Sequence, residues 1–162
     1  MATVISADTP LHTLDGDTAP LESWTTTFHL ALVVLDPFEL ESAWILDTAV
    51  RVLSTFAEAD CRVAFLLTCS DEQARQFLGP LAEQFLVFCD PNRSAVKGLD
   101  LSYLPAFVHL NVNNEVDAKA EGWQPEDWRS VSEELAIAMR WHRPEIPLPE
   151  DPIPFAGTPA TG

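Results

Sequence analysis

Short apolar runs alternate along this chain with stretches whose apolar positions recur every three or four residues. Phe28 to Leu35, FHLALVVL, is almost unbroken in its apolar character. It predicts a strand buried on both faces, as in a parallel sheet, and Asp36-Pro37 ends it. From Glu41 to Phe56 there is no Pro or Gly, and Leu46, Ala49, Val50, Leu53 and Phe56 fall on one helical face. The same spacing assigns Trp44 to the core. Glu39 and Glu41 suit the positive end of that helix. Arg62 to Thr68 predicts a second buried strand. Ser70 with Gln73 makes a capping box, opening a helix that Gly79-Pro80 should break.

Phe85 to Phe88 predicts a short strand. Asp90-Pro91 then reads as the cap and first position of a short helix, closed by Gly98. Ala106 to Val112 is a strand that turns at Asn113-Asn114 into Glu115 to Ala120. The last helix opens at Pro125 with Glu126 and Asp127 in its first turn. Its apolar stripe is Trp128, Val131, Leu135, Ala138 and Met139, and it ends near Trp141.

The flanks differ. Residues 1–12 read as a flexible lead-in, and Asp15-Gly16-Asp17 as a turn. Six of the 13 prolines lie after residue 143, so 142–162 cannot propagate a helix and reads as an extended, polyproline-like tail. Ile146, Leu148, Ile153 and Phe155 punctuate it. They suit grooves on the chain's own domain or a docking site on another chain. At 162 residues the chain can bury one core, assigned to residues 13–141.

Charge narrows the function. Nine basic residues face 25 acidic ones, a net −16, and Lys97 and Lys119 are the only lysines. Nucleic-acid binding needs clustered Lys and Arg, and anionic membrane surfaces ask for the same; both are disfavoured. No apolar run has the length of a membrane helix. The N-terminus lacks a basic start and an apolar stretch, which points to the cytoplasm. Cys61, Cys69 and Cys89 are odd in number and widely spaced, with no CxxC and no zinc spacing. His29 and His109 fall inside strands, and His12 and His142 in the flanks, so no metal is expected. No phosphate-binding or dinucleotide-binding glycine motif occurs, so no cofactor is expected either.

The predicted order is β-α-β-α-β-α-β-β-α, with Leu104-Pro105 leading into the penultimate strand. Thr13-Leu14-Asp15-Gly16, the step LLTCSDEQARQFL, the passage FLVFCDPNRSAVKGLDLSYLPAFVHL and Gly122 stand in the order seen in one known group. Residues 12–141 resemble the thioredoxin-like superfamily, in its redoxin branch of TlpA-like thiol-disulfide reductases and peroxiredoxins. The resemblance implies a three-layer α/β/α fold with a mixed sheet and an inserted helix and strand. It also implies a cis peptide bond at Pro105, and extended peptides bound to the cis-proline loop through backbone hydrogen bonds.

In that branch the reactive cysteines open the first core helix, where the helix N-terminus stabilises a thiolate. Here the two slots fall on Glu39 and Ser42, beside Phe38 where relatives often carry a Trp. No cysteine precedes residue 61, and neither Glu nor Ser can attack a disulfide or peroxide in that role. Asp36, Glu39 and Glu41 read as cap and helix-dipole partners. The expectation is therefore a non-enzymatic binding, assembly (chaperone-like) or structural module that engages a protein partner, with a homo-oligomer as a further expectation. The surface would be Phe38, Glu39, Tyr103, Leu104 and Pro105, with Trp123 either joining it as an anchor or buried under the tail. The alternative is an atypical thiol-disulfide oxidoreductase or redox sensor. It would use Cys69 and Cys89, which the resemblance places at the ends of neighbouring strands.

Overall fold

The computed structural model describes residues 3–161. An N-terminal arm comes first: β1 (Thr3–Val4), β2 (Pro10–Thr13), β3 (Thr18–Pro20) and the single turn α1 (Glu22–Thr25). The central unit follows as β4 (His29–Leu35), α2 (Leu40–Phe56) and β5 (Cys61–Leu67). The insertion is α3 (Asp71–Leu78), α4 (Leu81–Gln84) and β6 (Leu86–Cys89). Then come α5 (Ser94–Gly98), β7 (Tyr103–Leu104), β8 (Ala106–Leu110), β9 (Glu115–Glu121), α6 (Pro125–Met139) and, in the tail, β10 (Thr158–Pro159).

Eight strands form one mixed sheet in the order β1-β9-β8-β4-β5-β6-β2-β3. β4, β5 and β6 run parallel, and β8 lies antiparallel to β4. Successive side chains of a strand point to opposite faces, so β4 feeds two cores. Ala31, Val33 and Leu35 meet residues of α2, α3 and α6. Leu30, Leu32 and Val34 meet α5 and the N-terminal arm. Leu30 to Leu35 are almost wholly buried, and each large side chain there contributes roughly 1.5–3 kcal/mol. The unbroken apolar run is thus the signature of a strand covered on both sides.

Several expectations need correction. The lead-in is not loose over its described residues: Thr3 and Val4 pair with Val116 and Glu115, and Pro10 to His12 pair with β3. Ile5 and Leu11 are buried, so apolar residues on a polar-looking segment anchored it. Met1 and Ala2 lie outside the described residues. In α2 the buried stripe runs through Ile45, Ala49, Val52, Leu53 and Phe56. Trp44 sits off that stripe, half exposed, edge-on to Phe155. In α6 it is Ser132 and Ala136, not Ala138, that join Trp128, Val131 and Leu135.

Asp90 caps α5 from outside it. The helix starts only at Ser94, and the Asp90 carboxylate accepts from the amides of Ala95 (3.1 Å) and Val96 (2.9 Å). Pro91 is therefore in a turn, and Gly98 is the last helical residue, with Asp100 taking the left-handed conformation. The Ser70–Gln73 capping box forms as expected, and α3 ends before Gly79.

Candidate functional site

The carboxyl end of β4 leads into the place where the resemblance puts a nucleophile. Asp36 follows the strand and is buried. Its backbone amide donates to Ser42 Oγ at 2.8 Å, and its Oδ1 accepts from the Phe38 amide at 3.1 Å. Its Oδ2 is paired with Arg93 Nη2 at 2.7 Å. Arg93 stands in the left-handed region (φ 60°) just before α5, and its Nη1 donates to the Ala160 carbonyl at 2.6 Å. Glu39 is the N-cap residue of α2 but its side chain makes no capping bond and is exposed. Ser42 is buried. The seat thus holds a carboxylate matched by a guanidinium and a hydroxyl engaged by backbone. It contains no thiol, and Ser42 has no base beside it among its hydrogen-bond partners.

Across from this seat lies Tyr103-Leu104-Pro105, and the Leu104-Pro105 peptide bond is cis. Its backbone edge is occupied by the chain's own tail. Thr158 pairs with Leu104 and Pro159 with Tyr103 in an antiparallel ladder. The Ala160 amide extends it by donating to the Ser102 carbonyl at 2.9 Å. Two glycines make the approach possible. A Cβ on Gly157 (φ 91°) would lie 2.6 Å from the Leu104 carbonyl oxygen, and one on Gly122 (φ 74°) 2.4 Å from that of Ala156. Both conformations also favour glycine.

The rest of the tail is fastened just as closely. Phe155 and Trp123 exchange backbone hydrogen bonds of 2.8 and 3.0 Å, and Trp123 Nε1 donates to the Pro152 carbonyl at 2.7 Å. Trp123 is fully buried, so it lies under the tail rather than serving as a surface anchor. Asp151, nearly buried, takes Arg51 Nη2 (2.6 Å), Thr48 Oγ1 (2.7 Å) and the Leu148 amide (2.7 Å). Ile146 is buried, Phe155 and Leu148 are half-buried, and Ile153 is exposed. Of the five surface residues expected from sequence, Phe38, Glu39 and Tyr103 are exposed. Leu104 and Pro105 are buried.

Cys69 and Cys89 do come near one another. Leu67 pairs with Cys89, and Cys69 follows two residues after β5 ends. Both thiols are free and buried. Burial pushes Cys69 up to about 11, with Asp36 and Asp71 adding to it. Burial pushes Cys89 up to about 12, with the Asp71 carboxylate beside it. Both are protonated at neutral pH, the reverse of what a reactive cysteine needs. Cys61 is likewise raised, to about 12, by burial.

One cluster escaped the sequence reading. His29 Nδ1 lies 2.7 Å from His109 Nε2, and His109 Nδ1 lies 2.5 Å from Glu134 Oε2 on α6. An Asp117 carboxylate oxygen completes a group of three potential ligand atoms, all within 4.8 Å of one another. Their common side is legible only once β8 is laid antiparallel on β4, with Ala31 opposite His109. The shift of register between His109 and Leu110 leaves Asp117 as the extra residue of β9, and such a bulge re-aims a side chain. Desolvation, with His109 beside it, lowers the pKa of His29.

Parallel β4, β5 and β6, an antiparallel β8–β9 pair and a cis-proline loop facing the start of α2 define the three-layer α/β/α thioredoxin-like fold. The helices and strand between β5 and α5 are the insertion of its redoxin form. No family model matches the sequence, and no curated protein matches it. Solved structures share the fold. The chain is similar to a putative thiol:disulfide interchange protein DsbE from Chlorobium tepidum (15% identity, TM-score 0.71, 86% of this chain and 98% of that one). It is also similar to a variant of Xanthomonas campestris peroxiredoxin Q (13%, 0.69, 85% and 98%). A third is a secreted Mycobacterium tuberculosis disulfide oxidoreductase (13%, 0.62, 81% and 96%).

Proposed function

We propose that this protein is a thioredoxin-fold binding module without redox turnover, which takes extended polypeptide on the backbone edge of Tyr103 and Leu104. The observation that carries this is the edge's present occupant. A segment with the composition of an extended peptide, Ala156 to Ala160, already pairs there as an antiparallel strand. Strand addition of this kind draws affinity from main-chain groups and specificity from pockets for alternate side chains. Phe38 and Tyr103 are exposed, so they are available to contact an incoming chain. The protein's role is then to hold a client or an assembly partner, with its own tail standing in until that partner arrives.

The thiol reading has less behind it. Cys69 and Cys89 are buried, raised in pKa and flanked by Asp71. Neither opens α2, where the resemblance places an activated thiolate, and Cys69 stays raised although it directly precedes the N-cap of α3.

The test is direct. A fluorescent peptide of residues 152–161 is titrated into wild type and into Gly157→Ala, which weakens the tail's own pairing. Saturable binding to the variant, at least tenfold tighter than to wild type, supports the groove. An equal and negligible signal in both, with the variant folded by circular dichroism and its tail released, overturns it. So would insulin reduction or peroxide consumption that is lost in Cys69→Ser or Cys89→Ser.

A further inference from the structure

The His29–His109–Asp117 cluster lies at the amino end of β4, while Asp36 marks the carboxyl end. Six residues of β4, Leu30 to Leu35, lie between His29 and Asp36, a span of roughly 23 Å, so the cluster is no part of the groove. We propose that it is a binding site for one divalent transition-metal ion of the zinc class, held by His29 Nδ1, His109 Nε2 and an Asp117 carboxylate oxygen.

Four features support this. First, His109 is fully buried, and Glu134 sits on its Nδ1. That contact holds the proton on Nδ1 and leaves the Nε2 lone pair facing His29. A carboxylate behind a ligating imidazole is the usual outer partner of a metal site. Second, Asn111 Nδ2 donates to Asp117 Oδ1 at 2.8 Å, which orients the carboxylate and leaves its other oxygen available. Third, the donors match. Two imidazoles and one carboxylate suit zinc-class ions, whereas magnesium and calcium prefer all-oxygen shells. Fourth, charge asks for a cation. Among the described residues, neither Asp117 nor Glu134 is paired with a Lys or Arg.

The cluster is closed up but needs little movement to open. The two rings are inclined by 25° with centroids 4.9 Å apart. With their nitrogens at 2.7 Å, the rings face edge to edge in a nearly linear N–H···N bond. A tetrahedral ion with bonds near 2.0–2.1 Å sets its donors about 3.3 Å apart. His29 must therefore swing by several tenths of an ångström and shift its ring proton from Nδ1 to Nε2 by exchange with solvent, remaining a neutral imidazole. It is half-buried and Asp117 is exposed, so the side that moves is the side open to water. That side also leaves the fourth position to a water molecule, as three-ligand sites do.

Cobalt(II) and zinc(II) are the probes, added to the full-length protein. The expected result is one saturable site at micromolar or tighter affinity, with a tetrahedral cobalt spectrum lacking a thiolate-to-cobalt charge-transfer band. His29→Ala and Asp117→Asn, both at accessible positions, should each weaken binding by at least tenfold. Glu134→Gln should weaken it by about tenfold or more, through His109. His109→Ala is avoided because the residue is in the core. The proposal is overturned if zinc binds weakly at many sites, as the acidic surface alone would allow. It is also overturned if a thiolate band appears, or if His29→Ala binds zinc as tightly as wild type.

Discussion

Gly157→Ala is the most informative single change, because its cost and the strength of what it opposes can both be worked from the structure. The new Cβ would sit 2.6 Å from the Leu104 carbonyl oxygen and 3.1 Å from the Gly122 Cα. Both obstacles are backbone, so neither can rotate away. The backbone at φ 91° adds strain for a residue with a side chain, of about 1–3 kcal/mol. Against this stand the Thr158–Leu104 pairing, the bond from Ala160 to Ser102, and the Arg93 bond to the Ala160 carbonyl. The neutral bonds are worth about 1 kcal/mol each and the charged one about 1.5–3. Strain and clash together thus consume much or all of the local stability of β10.

Hydrogen exchange followed by NMR should show the Ala160 amide exchanging about ten- to a hundredfold faster. Amides of β4 and β5 should keep their protection. Gly16→Ala is the control: its φ is also positive, at 85°, but nothing lies within 4 Å of the added Cβ, and it is in the β2–β3 turn. It should leave Ala160 unaffected. If Gly157→Ala leaves the Ala160 amide as slow as in wild type, the contact between tail and groove is not as described.

Other consequences follow from the same contacts. Arg93→Met strands the buried Asp36 carboxylate, and urea unfolding should show a loss of about 2–4 kcal/mol, below the fully buried range because Arg93 keeps some solvent contact. Adding Asp36→Asn to it should recover part of that loss. Asp151→Ala removes three hydrogen-bonded partners at once; about 1.5–3 kcal/mol of tail anchoring should go, read as faster proteolysis within residues 142–157. Iodoacetamide at pH 7.5 should label the three cysteines far more slowly in the folded protein than in urea, since all are buried and raised in pKa. The raised thiols also set a sign for pH. Their contribution is full below the ordinary value of 9.0 and is lost as pH rises toward 11–12, because the unfolded thiols ionise first. Urea midpoints should therefore fall above pH 9, and less so in Cys69→Ala.

The chain's pattern carried the parallel strands and the two long helices because their burial is continuous or helically periodic. It carried the α3 capping box because Ser70 and Gln73 are local to one turn. It misplaced Trp44 because helical spacing alone does not say which face is centred on the sheet; Ile45 and Val52 decide that. It missed the N-terminal strands because two- to four-residue edge pairings depend on where β9 and β6 already lie. That no cysteine precedes residue 61 was plain from sequence, whereas the matching of Glu39 and Ser42 to reactive slots rests on the resemblance alone. The histidine cluster was not legible there, because it joins three strands and a helix from positions up to 105 residues apart (Glu134 against His29).

The start of α2 and the edge covered by the tail are joined by one side chain. Arg93 touches both: one guanidinium nitrogen pairs with Asp36, just before α2, and the other holds the Ala160 carbonyl of the tail. With Glu39 and Ser42 at the start of α2, the guanidinium that pairs with Asp36 also fastens the tail. Any partner that displaces β10 must therefore either supply a carbonyl to Arg93 or leave the guanidinium with a hydrogen-bond donor unfilled. Extended polypeptide meets that condition with its own backbone, whereas a small apolar ligand does not.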